Sequence, residues 1–193
     1  MFIDYVTLLL INMVAGLAVL AHFIYKGLHV DDKRGWAPAF AITGLIATVA
    51  GFHMVFNWPI VGSYNSAFGE CSVLFGSIYL AAALAMSFGW PLDAVALYAF
   101  FGGALSILAG VRIIHLQLTA APLLSGAGFV LTGLGGVFAL VALRNRYVRL
   151  VRVAGAAVMS AAAIIWALTA YMAFWMHLSS FSKWVPQIME KTP

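Results

Sequence analysis

Residues 6–25 read VTLLLINMVAGLAVLAHFIY, twenty positions without one Asp, Glu, Lys or Arg. A helix crosses the hydrocarbon core of a bilayer with about 20 such residues, and this run has that length and stops at Lys26. Five further apolar runs of spanning length follow, at 38–56, 68–88, 92–113, 122–143 and 153–177. Lipid offers backbone N–H and C=O groups no outside partner, so each run is expected as a helix. Strand-like alternation is absent, which speaks against a membrane β-barrel. The expected fold is therefore all-α: a polytopic membrane bundle of six transmembrane helices, forming a single transmembrane domain over 1–193.

Composition agrees. The chain is 64% hydrophobic and 8% charged, against roughly 25% charged residues in a soluble domain. Its mean hydropathy is +1.03. Too few charges remain to cover a water-facing surface, which excludes a soluble globule, a disordered chain, a coiled coil and a nucleic-acid-binding domain. The expected solvent and first partner is the lipid bilayer, in the plasma (inner) membrane of a bacterium or archaeon. A single cysteine, Cys71, excludes an internal disulfide and any CxxC site. Met1–Tyr5 has no basic character and contains Asp4, so a cleavable signal is not expected.

Punctuation marks the junctions. Trp36-Ala37-Pro38, Trp58-Pro59, Trp90-Pro91 and Pro122 place proline where a first helical turn tolerates it. Tryptophan favours the headgroup level. Phe56-Asn57-Trp58-Pro59 and Phe88-Gly89-Trp90-Pro91 look alike at a 32-residue offset. Their flanks differ, so the pair reads as a recurring interfacial turn. The many glycines read as close helix packing.

Charge sets the expected orientation. Loop 1 carries Lys26, Lys33 and Arg34, and loop 5 carries Arg144, Arg146, Arg149 and Arg152. The other side has Arg112, Lys183 and Lys191. Seven basic residues against three put loops 1, 3 and 5 in the cytoplasm and both termini outside.

That topology assigns depths to the polar groups. His53 falls near the outer end of the second span, one turn below Asn57. Glu70 falls near the entrance of the third, where Asn65 or Ser66 is expected as helix N-cap. Arg112 and His115, three residues apart, share a face at the outer end of the fourth span. Tyr171, Trp175 and His177 end the sixth. Four helices thus bring His53, Glu70, Arg112, His115 and His177 to the outer leaflet boundary, with Asn57, Tyr64 and Asn65 in the connecting loop. Glu70 and Arg112 are expected to contact each other or share a ligand. Asn12, inside the first span, reads as packing glue. On the inner side only His22, His29, Asp31 and Asp32 stand out, so the outer cluster is where chemistry is expected to concentrate.

Imidazole suits copper, iron and zinc, and a carboxylate with two or three histidines makes an open ligand set. A b-type haem needs histidines at equal depth between apolar walls, with Arg112 suited to a propionate. The expected metal or haem ligands are His53, Glu70, His115 and His177, supported by Arg112, Asn57, Tyr64 and Asn65, with His53 the most consequential.

Asn57-Trp58-Pro59, Gly62-Ser63-Tyr64-Asn65, Phe68-Gly69-Glu70 and Leu74-Phe75-Gly76 together resemble a bacterial and archaeal membrane-protein family of unknown function. The resemblance covers most of the chain, with Cys71 after the glutamate where it implies a proline. It implies a multi-helix membrane protein and no particular activity.

Three functions compete on the sequence. One is a redox component, or a subunit of a larger membrane complex, built on the outer site with haem b or a transition metal. The second is a non-catalytic scaffold or accessory subunit, in a complex or homo-oligomer, whose polar cluster is structural. The third is a small-solute transporter, disfavoured by midplanes that are almost wholly apolar. No reaction is named by any motif.

Overall fold

The computed structural model describes residues 6–60 and 62–182. Asp4, Lys183 and Lys191 lie outside the described residues. The protein is all-α. Helix α1 spans Val6–His22 and runs on through a π-helical turn, Phe23–Gly27. A 3-10 turn, Arg34–Trp36, leads into α2, Ala37–Asn57. A second π-helical turn, Asn65–Glu70, leads into α3, Cys71–Phe88. Then come α4, Asp93–Leu116; α5, Pro122–Val137; α6, Ala139–Arg144; and α7, Arg149–Ser180.

Among the described residues, five helical stretches are long and apolar enough to cross a membrane: Val6–Gly27, Arg34–Asn57, Asn65–Phe88, Asp93–Leu116 and Arg149–Ser180. The fifth expected span differs from its sequence reading. It is broken at Phe138, which leaves helical geometry at φ −94°, ψ 3° and serves as C-cap of α5 and N-cap of α6. Gly133, Gly135 and Gly136 precede the break, and glycine is the weakest helix former after proline. At about 1.5 Å per residue, α5 alone is about 24 Å long, short of the roughly 30 Å hydrocarbon core. The last helix starts earlier than expected, so Arg149 and Arg152 lie in its first turn rather than in a loop.

The two look-alike turns are not equivalent in three dimensions. The left-handed residue after α2 is Trp58, at φ 42°, whereas after α3 it is Gly89, at φ 70°.

The helices close into a ring in the order α1, α2, α3, α4, α5, α7, with α6 under α4. Three seams are extensive: α2 with α3, α4 with α5, and α1 with α7. Lipid tails are as apolar as leucine, so helix association in a bilayer depends on close packing and interhelical hydrogen bonds. Glycine supplies the first. A Cβ on Gly76 would lie 2.5 Å from the Thr48 nitrogen, and one on Gly103 would lie 2.4 Å from the Gly133 oxygen. Backbone meets backbone at these points and no side chain fits. Polar side chains supply the second. Asn12 donates to the Thr43 oxygen at 2.9 Å, joining α1 to α2. The Tyr79 hydroxyl donates to the Gly16 oxygen at 2.8 Å, joining α3 to α1. Ser106 donates to the Phe129 oxygen at 2.8 Å, joining α4 to α5.

Helix ends sort to two poles. Loop 2 meets loop 4 where the Tyr64 hydroxyl donates to the Leu118 oxygen, and Thr7 shares a hydrogen bond with His177 at 3.1 Å. At the opposite pole, loops 1, 3 and 5 surround one cleft, and Arg152 bonds His29 across α7 and α1.

Candidate functional site

The pole of loops 2 and 4 holds all the residues expected to form the metal or haem site. Their contacts are mostly local. His53, partly buried on α2, has its Nδ1 3.3 Å from the Asn57 amide nitrogen, one turn along the same helix. Asn57 also donates to the His53 carbonyl at 3.1 Å. Arg112 donates to His115 Nδ1 at 3.0 Å, the same-face pair that their spacing of three implies. His177 meets Thr7 across the α1/α7 seam. Glu70 is exposed, as is Arg112. The expected Glu70–Arg112 contact is not made: among the described residues neither forms an ion pair. Nor do three or more His, Cys, Asp or Glu side chains gather there in a way that would hold a metal ion, again among the described residues.

Asn65 and Tyr64 shape loop 2. Asn65 is fully buried. Its amide oxygen accepts from the Ile60 N–H at 3.2 Å, and its amide nitrogen donates to the Ile60 and Gly62 carbonyls. The expected N-cap role is replaced by this backward grip: the turn that opens the helix has Tyr64 at its cap, with no side-chain cap bond. A buried amide with each atom satisfied holds the loop in one conformation.

The other pole is richer than its sequence suggests. Asp93, at the start of α4, joins Asp31 and Asp32 of loop 1, and Arg146 of loop 5 joins Lys33 and Arg34. These six charged residues line one cleft of about 550 Å³, together with Trp90, Pro91 and Leu143. None of the six forms an ion pair among the described residues. Arg146 rests against the Tyr147 ring, 5.0 Å from its centroid. Its pKa is raised, first by Tyr147 and then by the carboxylates of Asp31 and Asp93. Chemistry-bearing groups therefore gather at both poles, which corrects the expectation that the outer cluster stands alone.

Beneath this cleft lies a chamber of about 460 Å³ inside the helix ring. Its wall is almost entirely apolar. Leu17, Leu20 and Ile24 come from α1 and its π turn, Phe75 and Tyr79 from α3, and Ala99 and Gly102 from α4. Gly135 and Phe138 at the α5 break and Met159 on α7 complete it. Toward the pole of loops 2 and 4 the chamber meets an aromatic floor. Phe68 sits edge-on to Phe129 at 5.3 Å, and Phe129 edge-on to Trp166 at 5.2 Å. Trp166 is pinned there by donating to Thr132 at 3.0 Å. Toward the other pole, Leu92 and Leu143 line both chamber and cleft, so the two spaces adjoin. No histidine lines the chamber among the described residues. Both π-helical turns send side chains into it, Phe23 and Ile24 from one and Phe68 from the other. Such turns are frequent at functional sites.

The pairs Gly102-Gly103 and Gly135-Gly136 stand in the sequence, but nothing there sets a glycine of either pair against a chamber. An apolar wall residue looks the same in sequence as a lipid-facing one, and that hid the rest.

No curated protein matches the chain, and no solved structure does. One family model matches residues 1–180, that described as "Protein of unknown function (DUF981)". With nearly its whole length covered, and with five helices fit to cross a bilayer, the chain belongs to this family of proteins of unknown function.

Proposed function

We propose that this protein is a six-span protein of a bacterial or archaeal plasma membrane that binds an apolar, chain-like ligand inside its helix ring. In this reading α5 and α6 together form the fifth span, and both termini face outward. The observation that carries it is the chamber: about 460 Å³, walled by apolar side chains from all six spans. Small-molecule sites run from roughly 300 to 1,000 Å³ and are lined mostly by apolar groups. Interiors otherwise pack as tightly as organic crystals, so an apolar space this large between the helices supports an occupant.

In this reading the outer polar residues are structural: His177–Thr7 fastens α7 to α1, while Arg112–His115 and His53–Asn57 satisfy one another within α4 and α2. A metal or haem at that pole would draw on the same residues. The two readings separate in one experiment. The protein is purified in a mild detergent, and bound lipid, haem and metals are quantified in wild type and in Gly135→Leu. A Cβ on Gly135 meets only the end of the flexible Met159 side chain, at 2.6 Å, so leucine there fills the chamber without meeting backbone. The expected result is near-stoichiometric lipidic ligand in wild type and at least a fivefold loss in Gly135→Leu, with the thermal transition retained. No bound chain in wild type, or an unchanged amount in the variant, overturns the proposal.

A further inference from the structure

We infer that the ligand is an amphiphile carrying one apolar chain and a zwitterionic head, a phosphate together with an amine, and that the head lies in the cleft between loops 1, 3 and 5. The inference rests on the chamber reading and adds the identity of the head. It follows from two spaces that share a border. Leu92 and Leu143 line both, so the two spaces are neighbours, and in this reading a chain in the chamber carries its polar end past these two leucines to the cleft. At the opposite end the Phe68–Phe129–Trp166 floor offers a head nothing charged.

The cleft is balanced in sign. Asp31, Asp32 and Asp93 face it with Lys33, Arg34 and Arg146. Lys33 donates to the Val30 carbonyl and Asp32 accepts from the Arg34 N–H at 3.0 Å, but none of the six charges forms an ion pair among the described residues, so guanidinium donors and carboxylate acceptors both face the cleft. Guanidinium forks recognise phosphate oxygens with directional, charge-assisted hydrogen bonds, and carboxylates accept from an ammonium. A purely anionic head would face three carboxylates, and juxtaposed like charges select against the wrong partner. An uncharged head would use none of the six. The charges come from three places: Asp93 opens α4, Arg146 sits in loop 5, and the loop 1 segment Asp31–Arg34 carries both signs. A head bridging these elements engages loops 1, 3 and 5 at once.

Cys71 is the only cysteine in the chain and lines the chamber; a buried thiol reacts slowly, so labelling is run at alkaline pH, where the rate without probe is measurable and its slowing reports occupancy. Detergent-purified wild type is labelled with N-ethylmaleimide in the presence of three probes with the same C16 chain. These are 1-palmitoyl-lysophosphatidylethanolamine, hexadecyl phosphate and hexadecanol. The lysophosphatidylethanolamine is expected to halve the labelling rate at a concentration at least tenfold below either of the others. Asp93→Asn and Arg146→Gln, both at exposed positions, are each expected to erase most of that advantage while leaving hexadecanol protection unchanged. Equal protection by all three probes overturns the head assignment and leaves the chamber reading standing. Strongest protection by hexadecyl phosphate overturns the zwitterion. Protection by none overturns the chamber reading, and this inference with it.

Discussion

Gly103 and Gly102 are adjacent on α4 and face different surroundings. Gly103 looks into the α4/α5 seam, where a Cβ would lie 2.4 Å from the Gly133 oxygen and 2.7 Å from the Val137 nitrogen. Gly102 looks toward the chamber and α3, where a Cβ would meet side chains alone, the tip of Ile78 at 3.0 Å and the Leu74 Cβ at 3.7 Å. Gly136 and Gly135 repeat the contrast on α5, with the Ala99 oxygen at 2.4 Å for one and the Met159 side-chain end at 2.6 Å for the other. One glycine of each pair lets two backbones touch. The other meets side chains alone, and all four line the chamber. The bundle thus uses the same residue to seal its seams and to hollow its interior.

The largest expected effect tests the seam. Gly103→Leu drives a side chain into the backbone of α5 and should abolish recovery of a monodisperse protein. Gly102→Leu should behave like wild type on size exclusion. Equal recovery of the two variants would break the distinction.

Alanine sharpens it. Gly103→Ala overpacks against backbone and should destabilise by about 1–3 kcal/mol. Gly102→Ala gains helix propensity and should be neutral or stabilising by up to about 1 kcal/mol. Denaturation in mixed micelles reads both.

Smaller again are the hydrogen bonds that tie seam to chamber. Removing the Ser106–Phe129 bond with Ser106→Ala, or the Trp166–Thr132 bond with Thr132→Val, should cost about 0.6 kcal/mol and no more than about 1.7 kcal/mol, the range measured for interhelical bonds in membranes. A cost several times larger for either would mean that the aromatic floor holds the ring together as well as closing the chamber.

The smallest effects belong to the outer pole. Arg112 and Glu70 are exposed and make no ion pair among the described residues. Exposed charges contribute about 0–1 kcal/mol. The double variant Glu70→Gln with Arg112→Gln should therefore be additive in thermal stability, as independent sites are. A coupling above about 0.5 kcal/mol would show that the two share a partner after all.

Much of the candidate chemistry was visible in the sequence. His53, Glu70, His115 and His177 do reach one pole, because short loops force alternate helix ends together. Depth alone does not make side chains converge, and azimuth depends on each helix's rotation. Arg112 and His115 share a face because three residues make most of a turn, so that pair was readable. The Glu70–Arg112 contact needed two helices in a particular rotation, and the α3/α4 seam is among the slimmest. Asp93 escaped notice because it opens an apolar run, and Arg146 was read with its basic neighbours as a topology signal alone.

Sequence by itself determined what each residue's own solvent preference determines. It set the all-α character, the six apolar stretches, the alternation of their ends and the gathering of basic residues on loops 1 and 5. Each follows from local chemistry: a charge-free run of about 20 residues seeks hydrocarbon, and its backbone must then bond to itself. The ring order, the break at Phe138, the aromatic floor and the chamber beside the charged cleft were decided only by the tertiary structure. In a bilayer, leucine facing lipid and leucine facing a cavity sit in equally apolar surroundings, so hydropathy does not distinguish them. What separates them is which backbones approach within van der Waals contact, and that is a property of helix pairs.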